Sequence, residues 1–488
     1  MNSKNSSRVK DFTLTKSILK NLNVSKEQID LKETRYLLYP LDYVKEENGS
    51  SLTLLQPYNS QLRYPMIDRA KKYLRLLANQ VKNVLPQKLI VSIDSFDEIF
   101  EGDKIFIDYL SQYTGIVLEM TGDKNSYASN FRLFDEDGLN EMGLKYMSCG
   151  NSWTARDIYL YLVDNYNKPE YILNLAAVYN QLYEVEKTEY YLEIARKSGD
   201  KKIIVEANYM LAMLFARHHK KYLINDSYSK LLLNEAYNCF GSELTINKIF
   251  NRNGYALLLF KERRIDEAIS MLNDCISSLR MLKQNSDDPA IEIHESVLIY
   301  NILQCYIEQG EDDQVDMYFR ELELLDPNFI EYKIEYARYL LDNNSNNFFE
   351  VIDQIICFGE DFPEIYSLLG FYYYKQNNLQ DSLTNYKKAY YLSDRSFDFW
   401  YDLQYIYVEL NMYEKAQRLL EQCQFKVSQL DLSFLEDYLV ISLEILYNCN
   451  KFKQMQPLLK ILDAHFSDNE KLSDMKETLE SEVSEYHE

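Results

Sequence analysis

Turn-forming residues are scarce. Only 13 glycines and 9 prolines serve 488 residues, which disfavours a fold rich in tight turns and favours helices joined by short loops. The five histidines (218, 219, 294, 465 and 487) are scattered, and the one adjacent pair cannot share a helix face. No HExxH and no His-Asp-Ser arrangement emerges from them. The seven cysteines (149, 239, 275, 305, 357, 423 and 449) are odd in number and form no CxxC, so neither a disulfide framework nor a zinc site is indicated. They read as small buried hydrophobes of a reducing compartment. GxSxG, GxGxxG and GxxxxGK[ST] are all absent. No catalytic site, metal or cofactor is therefore expected, and the chain is not read as an enzyme. No stretch approaches ~18 uninterrupted apolar residues, and MNSKNSSRVKDFTLTK lacks the apolar core of a signal peptide. The expectation is a cytoplasmic protein with no integral membrane segment.

Positive charge is also in deficit. The net charge of −23 surrounds the chain with a field that repels a phosphate backbone, so nucleic acid is not an expected ligand. The nearest approach to a basic patch, His218, His219, Lys220 and Lys221, reads as a solvated turn between helices. What the chain does have is 46% hydrophobic residues against 26% charged, the balance of a globular protein. At this length a single core is outgrown and at least two regions are expected. Abundant Lys, Asn and Ile with 43 Tyr suggest an AT-rich genome.

Internal periodicity is clearest over 363–430. Tyr366, Leu369, Gly370, Tyr373, Tyr386 and Ala389 form a pattern that Trp400, Leu403, Tyr407, Ala416, Leu420 and Cys423 restate, with matching positions 34 residues apart. This resembles the tetratricopeptide repeat (TPR) family, in which an aromatic, Leu-Gly and Tyr on a first helix precede Ala and an aromatic on a second. Gly370 would let the two helices of a pair approach, with Tyr373 and Tyr386 filling the space between neighbouring pairs and Asn377–Asn378 at the turn. Fainter copies run through Ile299, Ile302, Tyr306, Gly310, Val315, Phe319 and Leu322, with Pro327 after the second helix, through Ala256, Leu259, Ala268, Leu272 and Cys275, and through Leu175, Ala176, Tyr179, Leu192 and Ala195. Segments 203–240, 330–362 and 433–466 keep two-helix spacing without the small residues. About eight helix pairs are expected over 166–466. Residues 281–295 read as a surface loop, with His294–Glu295 a solvated pair at its junction with the next helix, and the acidic 467–488 as a cap helix or tail.

The first 165 residues change period. LIVSID at 89–94 and GIVLEM at 115–120 read as buried strands flanking a helix over 97–112, preceded by a helix at 66–84 and by candidate strands at 36–40 and 52–56. LIVSIDSFDEIF, GIVLEMTG and FRLFDEDGLNEMGL together resemble the later half of the signal-transduction ATPase module that precedes repeats in large bacterial regulators. That resemblance implies a short strand before the last helix, with Asp94 in the place of the magnesium acid and Thr121 in that of the sensor. Ser95 stands where the second acid belongs, and with no phosphate-cradling loop phosphoryl transfer is not expected. Another α/β domain, with Asp94, Asp97 and Glu98 capping the following helix, is the alternative. The fold class is then mainly α: a TPR-like α–α superhelix (solenoid) over 166–466, preceded by a small α/β domain at 1–165 and followed by 467–488.

Stacked helix pairs expose their first helices to partners. The groove positions implied by the family fall on Glu364, Ser367, Phe371, Tyr374 and Lys375, then Asp398, Tyr401, Tyr405, Val408 and Glu409, with Tyr300, Gln304, Ile307 and Glu308 in an earlier repeat. Tyr300, Phe371, Tyr374, Tyr401 and Tyr405 are the candidate partner-binding residues, since tyrosine and phenylalanine supply large contact area at small entropic cost. With few cations among these positions, a neutral to basic protein or peptide is the expected ligand. The function expected is that of a scaffold or adaptor in a bacterial cytoplasmic pathway. The alternatives are a peptide-sensing regulator and an accessory or immunity component of a modified-peptide biosynthetic system.

Overall fold

The computed structural model describes residues 9, 11–30, 32–42, 66–93, 99–120, 131–219, 223–284, 290–327, 329–357, 362–393, 397–422 and 432–466. Met1–His219 with Leu223–Phe329 form one compact unit, and Ile330–Glu488 belong to a second.

The first unit begins with α1 (Thr13–Asn21), α2 (Lys32–Leu38), α3 (Met66–Val81), β1 (Lys88–Ile93), α4 (Glu101–Leu110) and β2 (Gly115–Met120). β1 and β2 are parallel, registered from Lys88↔Gly115 to Ile93↔Met120. Only a crossover such as α4 can join adjacent parallel strands. β1 turns Leu89, Val91 and Ile93 inward and leaves Ile90 exposed, the period-two pattern of a half-buried strand. Segment 36–40 is not a strand, because α2 runs to Leu38 and a 3-10 turn follows at Pro40–Asp42. Leu37 and Leu38, adjacent in sequence, are both buried, which a helix packed on two sides allows and an alternating strand does not. The 52–56 candidate lies outside the described residues.

Phe12, Phe100 and Trp153 meet edge to face at 5.2–6.0 Å in the core of this region. Buried Asp103 accepts from the backbone N–H of Leu14 (3.2 Å) and Thr15 (2.8 Å) and from the Thr15 hydroxyl (2.6 Å). A side chain of α4 thereby supplies the cap that α1 lacks locally. Burial raises the Asp103 carboxyl to about 6, opposed by those hydrogen bonds.

Helix pairs follow in the same unit: α5 (Glu136–Ser148) with α6 (Ser152–Tyr166), α7 (Pro169–Gln181) with α8 (Val185–Ala195), α9 (Lys201–Met213) with α10 (Asp226–Cys239), α11 (Ile246–Lys261) with α12 (Ile265–Lys283), and α13 (Ala290–Gln309) with α14 (Asp312–Leu325). The residues before α5 form a 3-10 turn, Phe131–Leu133, where the ATPase resemblance implies a strand. A π turn extends α9 from Leu214 to His218. This places His219 against Glu189 at 3.0 Å, buried rather than in a solvated turn. The expected loop at 281–295 is shorter, since α12 runs to Lys283 and α13 begins at Ala290. His294 and Glu295 are 7% and 5% exposed: the His294 ring packs on Phe250, and Glu295 receives Arg280 (2.7 Å) and Lys283 (3.3 Å).

The second unit holds α15 (Ile330–Asp342) with α16 (Phe348–Cys357), α17 (Pro363–Lys375) with α18 (Leu379–Leu392), α19 (Phe397–Glu409) with α20 (Tyr413–Glu421), and α21 (Leu432–Asn448) with α22 (Phe452–Phe466). The chain is a mainly α, TPR-like helical-repeat protein with a strand-helix-strand unit ahead of the repeats. A Cβ on Gly370 would lie 2.7 Å from the Tyr386 ring, so only glycine lets α17 and α18 close on each other around that buried tyrosine. Trp400 is fully buried and stacks on Tyr438 at 5.6 Å. Within seven pairs the turn is made the same way: one residue adopts φ between 52° and 73° (Tyr183, Arg263, Gly310, Asn344, Asn377, Asn411 and Asn450). The next N–H then bonds back into the first helix, as Asn378 N–H does to Tyr373 O at 2.9 Å. Among the cysteines, 149, 275 and 305 are buried as expected, whereas 239 and 357 are exposed because they end α10 and α16.

Candidate binding face on the first helices of the C-terminal unit

In the second unit the first helices of successive pairs touch, α17 with α19 and α19 with α21, so their outer sides form one face. The helical period sets what that face presents. Ser367, Phe371, Tyr374 and Lys375 recur every three or four residues on α17, as Asp398, Tyr401, Asp402, Tyr405 and Glu409 do on α19.

Tyr374 and Tyr405 are brought together across the repeat boundary, with ring centroids 5.6 Å apart at 73° and hydroxyl oxygens 3.0 Å apart. Either hydroxyl can be the donor of the Tyr374–Tyr405 bond. Glu409 lies one turn on from Tyr405 along α19. The Tyr374 contact, burial and Glu409 all hold the Tyr405 hydroxyl above its ordinary range. Tyr401 lies one turn earlier on α19, half-buried and stacked on Phe397. Burial and the carboxylates of Asp437, Asp402 and Glu444 raise its hydroxyl in turn. Phe371 is 40% exposed, with the Lys375 ammonium 5.7 Å from its ring centroid. Lys375 itself donates to Asn344 Oδ1 at 2.8 Å.

Asp402 accepts from the Ser367 hydroxyl at 2.6 Å, a second bond across the same boundary. Burial raises its carboxyl to about 6, with Asp398 adding and Ser367 opposing. Burial raises Asp398 as well, and on α21 Asp437 and Glu444, with Glu436 adding at the first and Glu409 at the second. None of Asp398, Asp402, Glu409, Asp437 and Glu444 meets a cation among the described residues.

Four of the five candidate residues thus lie on two adjacent helices. Tyr300 is half-buried on α13 and belongs to the first unit. Asp94 and Thr121, the residues after β1 and β2, lie outside the described residues. Asp402, Asp437 and Glu444 were not singled out from the sequence. Their signal was available in the complete absence of Lys and Arg from α19 and α21. Among the described residues no cluster of three His, Cys, Asp or Glu could hold a metal ion, and no helix is long and apolar enough to cross a membrane.

No protein-family model matches the chain, and no curated protein matches it. Solved structures resemble it remotely. The crystal structure of yeast Tom70 is 13% identical, covering 72% of this chain and 96% of its own at a TM-score of 0.33. The human IFIT1 dimer with PPP-AAAA is also 13% identical, covering 92% of this chain and 100% of its own at 0.42. The human IFIT1 dimer with m7Gppp-AAAA gives the same identity and coverage at 0.43. At such scores these likenesses carry no argument about this chain's ligand.

Proposed function

We propose that the chain is a non-catalytic protein- or peptide-binding repeat protein, a scaffold or adaptor, and that Phe371, Tyr374, Tyr401 and Tyr405 on α17 and α19 form its docking face. The observation that supports this is the Tyr374–Tyr405 pair. Two tyrosines from successive repeats leave the core, meet through their hydroxyls and keep ring surface open, Tyr405 at 37% exposure. Rings so fixed offer contact area with little left to order on binding. Tyr300 is the corresponding candidate in the first unit.

Selection of displayed random peptides on the full chain tests the reading, with wild type compared against Tyr374→Ala/Tyr401→Ala/Tyr405→Ala at matched thermal stability. Peptides enriched on wild type and absent from the variant are the expected result. Identical enrichment on both proteins would place docking elsewhere.

A further inference from the structure

In the α15–α16 pair the first helix carries the cations, Lys333 and Arg338, but over the last three pairs, α17 to α22, cations are sorted the other way. The second helices carry the cations, Lys387 and Lys388 on α18, Lys415 and Arg418 on α20, and Lys453 and Lys460 on α22. The first helices α19 and α21 carry none, and the single lysine of α17, Lys375, is already engaged with the α15–α16 turn. We infer that the occupant of the α17–α19–α21 face is a cationic segment of another protein, an extended stretch bearing arginine or lysine whose side chains stack on Tyr374 and Tyr405 and pair with Asp402, Glu409 and Glu444. This rests on the docking reading above and assigns the ligand's chemistry.

Three features carry the assignment. Carboxylates drawn out of water without a counterion are held at a cost, which a ligand's guanidinium or ammonium removes on arrival. Asp402 and Glu444 are in that condition, half-buried and each raised by burial. The molecule also pairs tyrosine with cations where its own chain supplies them. Arg252 lies 3.8 Å from the Tyr237 centroid and 5.0 Å from that of Tyr255, and the Lys388 ammonium lies 3.9 Å from that of Tyr366. Tyr374 and Tyr405 have the same ring chemistry, and no cation of the described residues lies over either. Finally, a planar guanidinium can meet a ring face and a carboxylate together, and here both are present within one helical turn, Tyr405 beside Asp402 and Glu409.

The test uses the full chain and fluorescein-labelled twelve-residue probes of alternating glycine with arginine, serine or glutamate. Anisotropy should show the arginine probe binding, weakening as salt rises from about 50 to about 300 mM, and the other two not binding. Asp402→Asn/Glu409→Gln/Glu444→Gln should weaken it roughly tenfold or more. Glu243→Gln/Asp274→Asn/Glu350→Gln, which removes as much charge elsewhere, should leave it unchanged. Equal loss in both triple variants would reduce the effect to bulk charge and overturn the inference, as would equal binding of the serine probe or no binding of the arginine probe. If displayed peptides depend on the tyrosines but are neutral or acidic, this inference falls while the docking reading stands.

Discussion

The two compact units solve one stacking problem with different chemistry. In the first, neighbouring pairs are tied by ion pairs. Arg196 reaches Glu235 (2.9 Å), Lys261 reaches Asp226 (2.5 Å), Lys230 pairs with Glu262, and Arg280 pairs with Glu295 and Glu321. In the second, the boundary between α17 and α19 is tied by hydroxyls, Ser367 to Asp402 and Tyr374 to Tyr405, while ion pairs such as Arg338–Glu335 and Arg418–Glu414 run along one helix. An acidic chain can satisfy its carboxylates internally or leave them for a ligand. The first unit follows the first course and the first-helix face of the second unit follows the other.

The pairs also differ in how tightly they close, which gives the largest expected effect. Gly370 sits against the inner ring atoms of Tyr386, a buried side chain that cannot move aside, and an added Cβ would fall 2.7–2.9 Å from them. Gly254 of α11 meets the mobile Met213 methyl at 3.0 Å and Tyr209 at 3.1 Å. Gly370→Ala should therefore cost about 1–3 kcal/mol through overpacking. Gly254→Ala should be close to neutral, because alanine's gain of up to about 1 kcal/mol in helix propensity offsets a small adjustment. Denaturant midpoints of the two variants measure the contrast, and equal losses would remove it.

The same tightness explains what was legible in the sequence. Gly370, Tyr386 and Trp400 occupy positions that few residue types satisfy, so their 34-residue echo survived and named the fold. Turn chemistry was a second signal, only partly used. Asn344, Asn377, Asn411 and Asn450 each take the left-handed conformation that favours Asn, whereas Tyr183 and Arg263 fill it in the first unit and hide the period there. Residues 36–40 misled because a short apolar run does not distinguish strand from helix. His294–Glu295 misled because a charged dipeptide beside a polar loop looks solvated until Arg280 and Lys283 are folded onto it. Of the candidate face, the aromatic half was legible from repeat positions. The acidic half was less so, since Asp437 and Glu444 belong to a repeat that had lost its signature, and in a chain of charge −23 one more carboxylate stands out only against a local absence of lysine and arginine.

The acidic half makes a pH-dependent prediction of intermediate size. Asp402, held near 6 by burial and Asp398, keeps its proton in the folded chain to higher pH than in the unfolded one, where the carboxyl titrates near ~4. Between those values the unfolded state binds fewer protons, so stability falls as pH rises through that window. Asp103 of the first unit, also near 6, contributes with the same sign. Melting temperature should decline from pH 4 to pH 7, and Asp402→Asn should flatten part of that decline. The arginine probe should bind more tightly above pH 6 than below it, as Asp402 ionises, whereas Asp103 serves α1 and its substitution should not alter probe affinity. A pH-independent affinity would detach Asp402 from the face.

The smallest expected effect lies in the ion-pair lattice of the first unit. Arg196 bridges α8 to Glu235 on α10 at 2.9 Å, but Glu235 remains 44% exposed, and a partly hydrated pair gains little beyond the entropy of holding two long side chains. A double-mutant cycle of Arg196→Ala and Glu235→Ala should give a coupling below about 1 kcal/mol, reduced further at high salt. A coupling above about 2 kcal/mol that persists in salt would mean that the lattice acts as a network rather than as separate pairs. The contrast between the units would then be one of stability and not only of where carboxylates are left free.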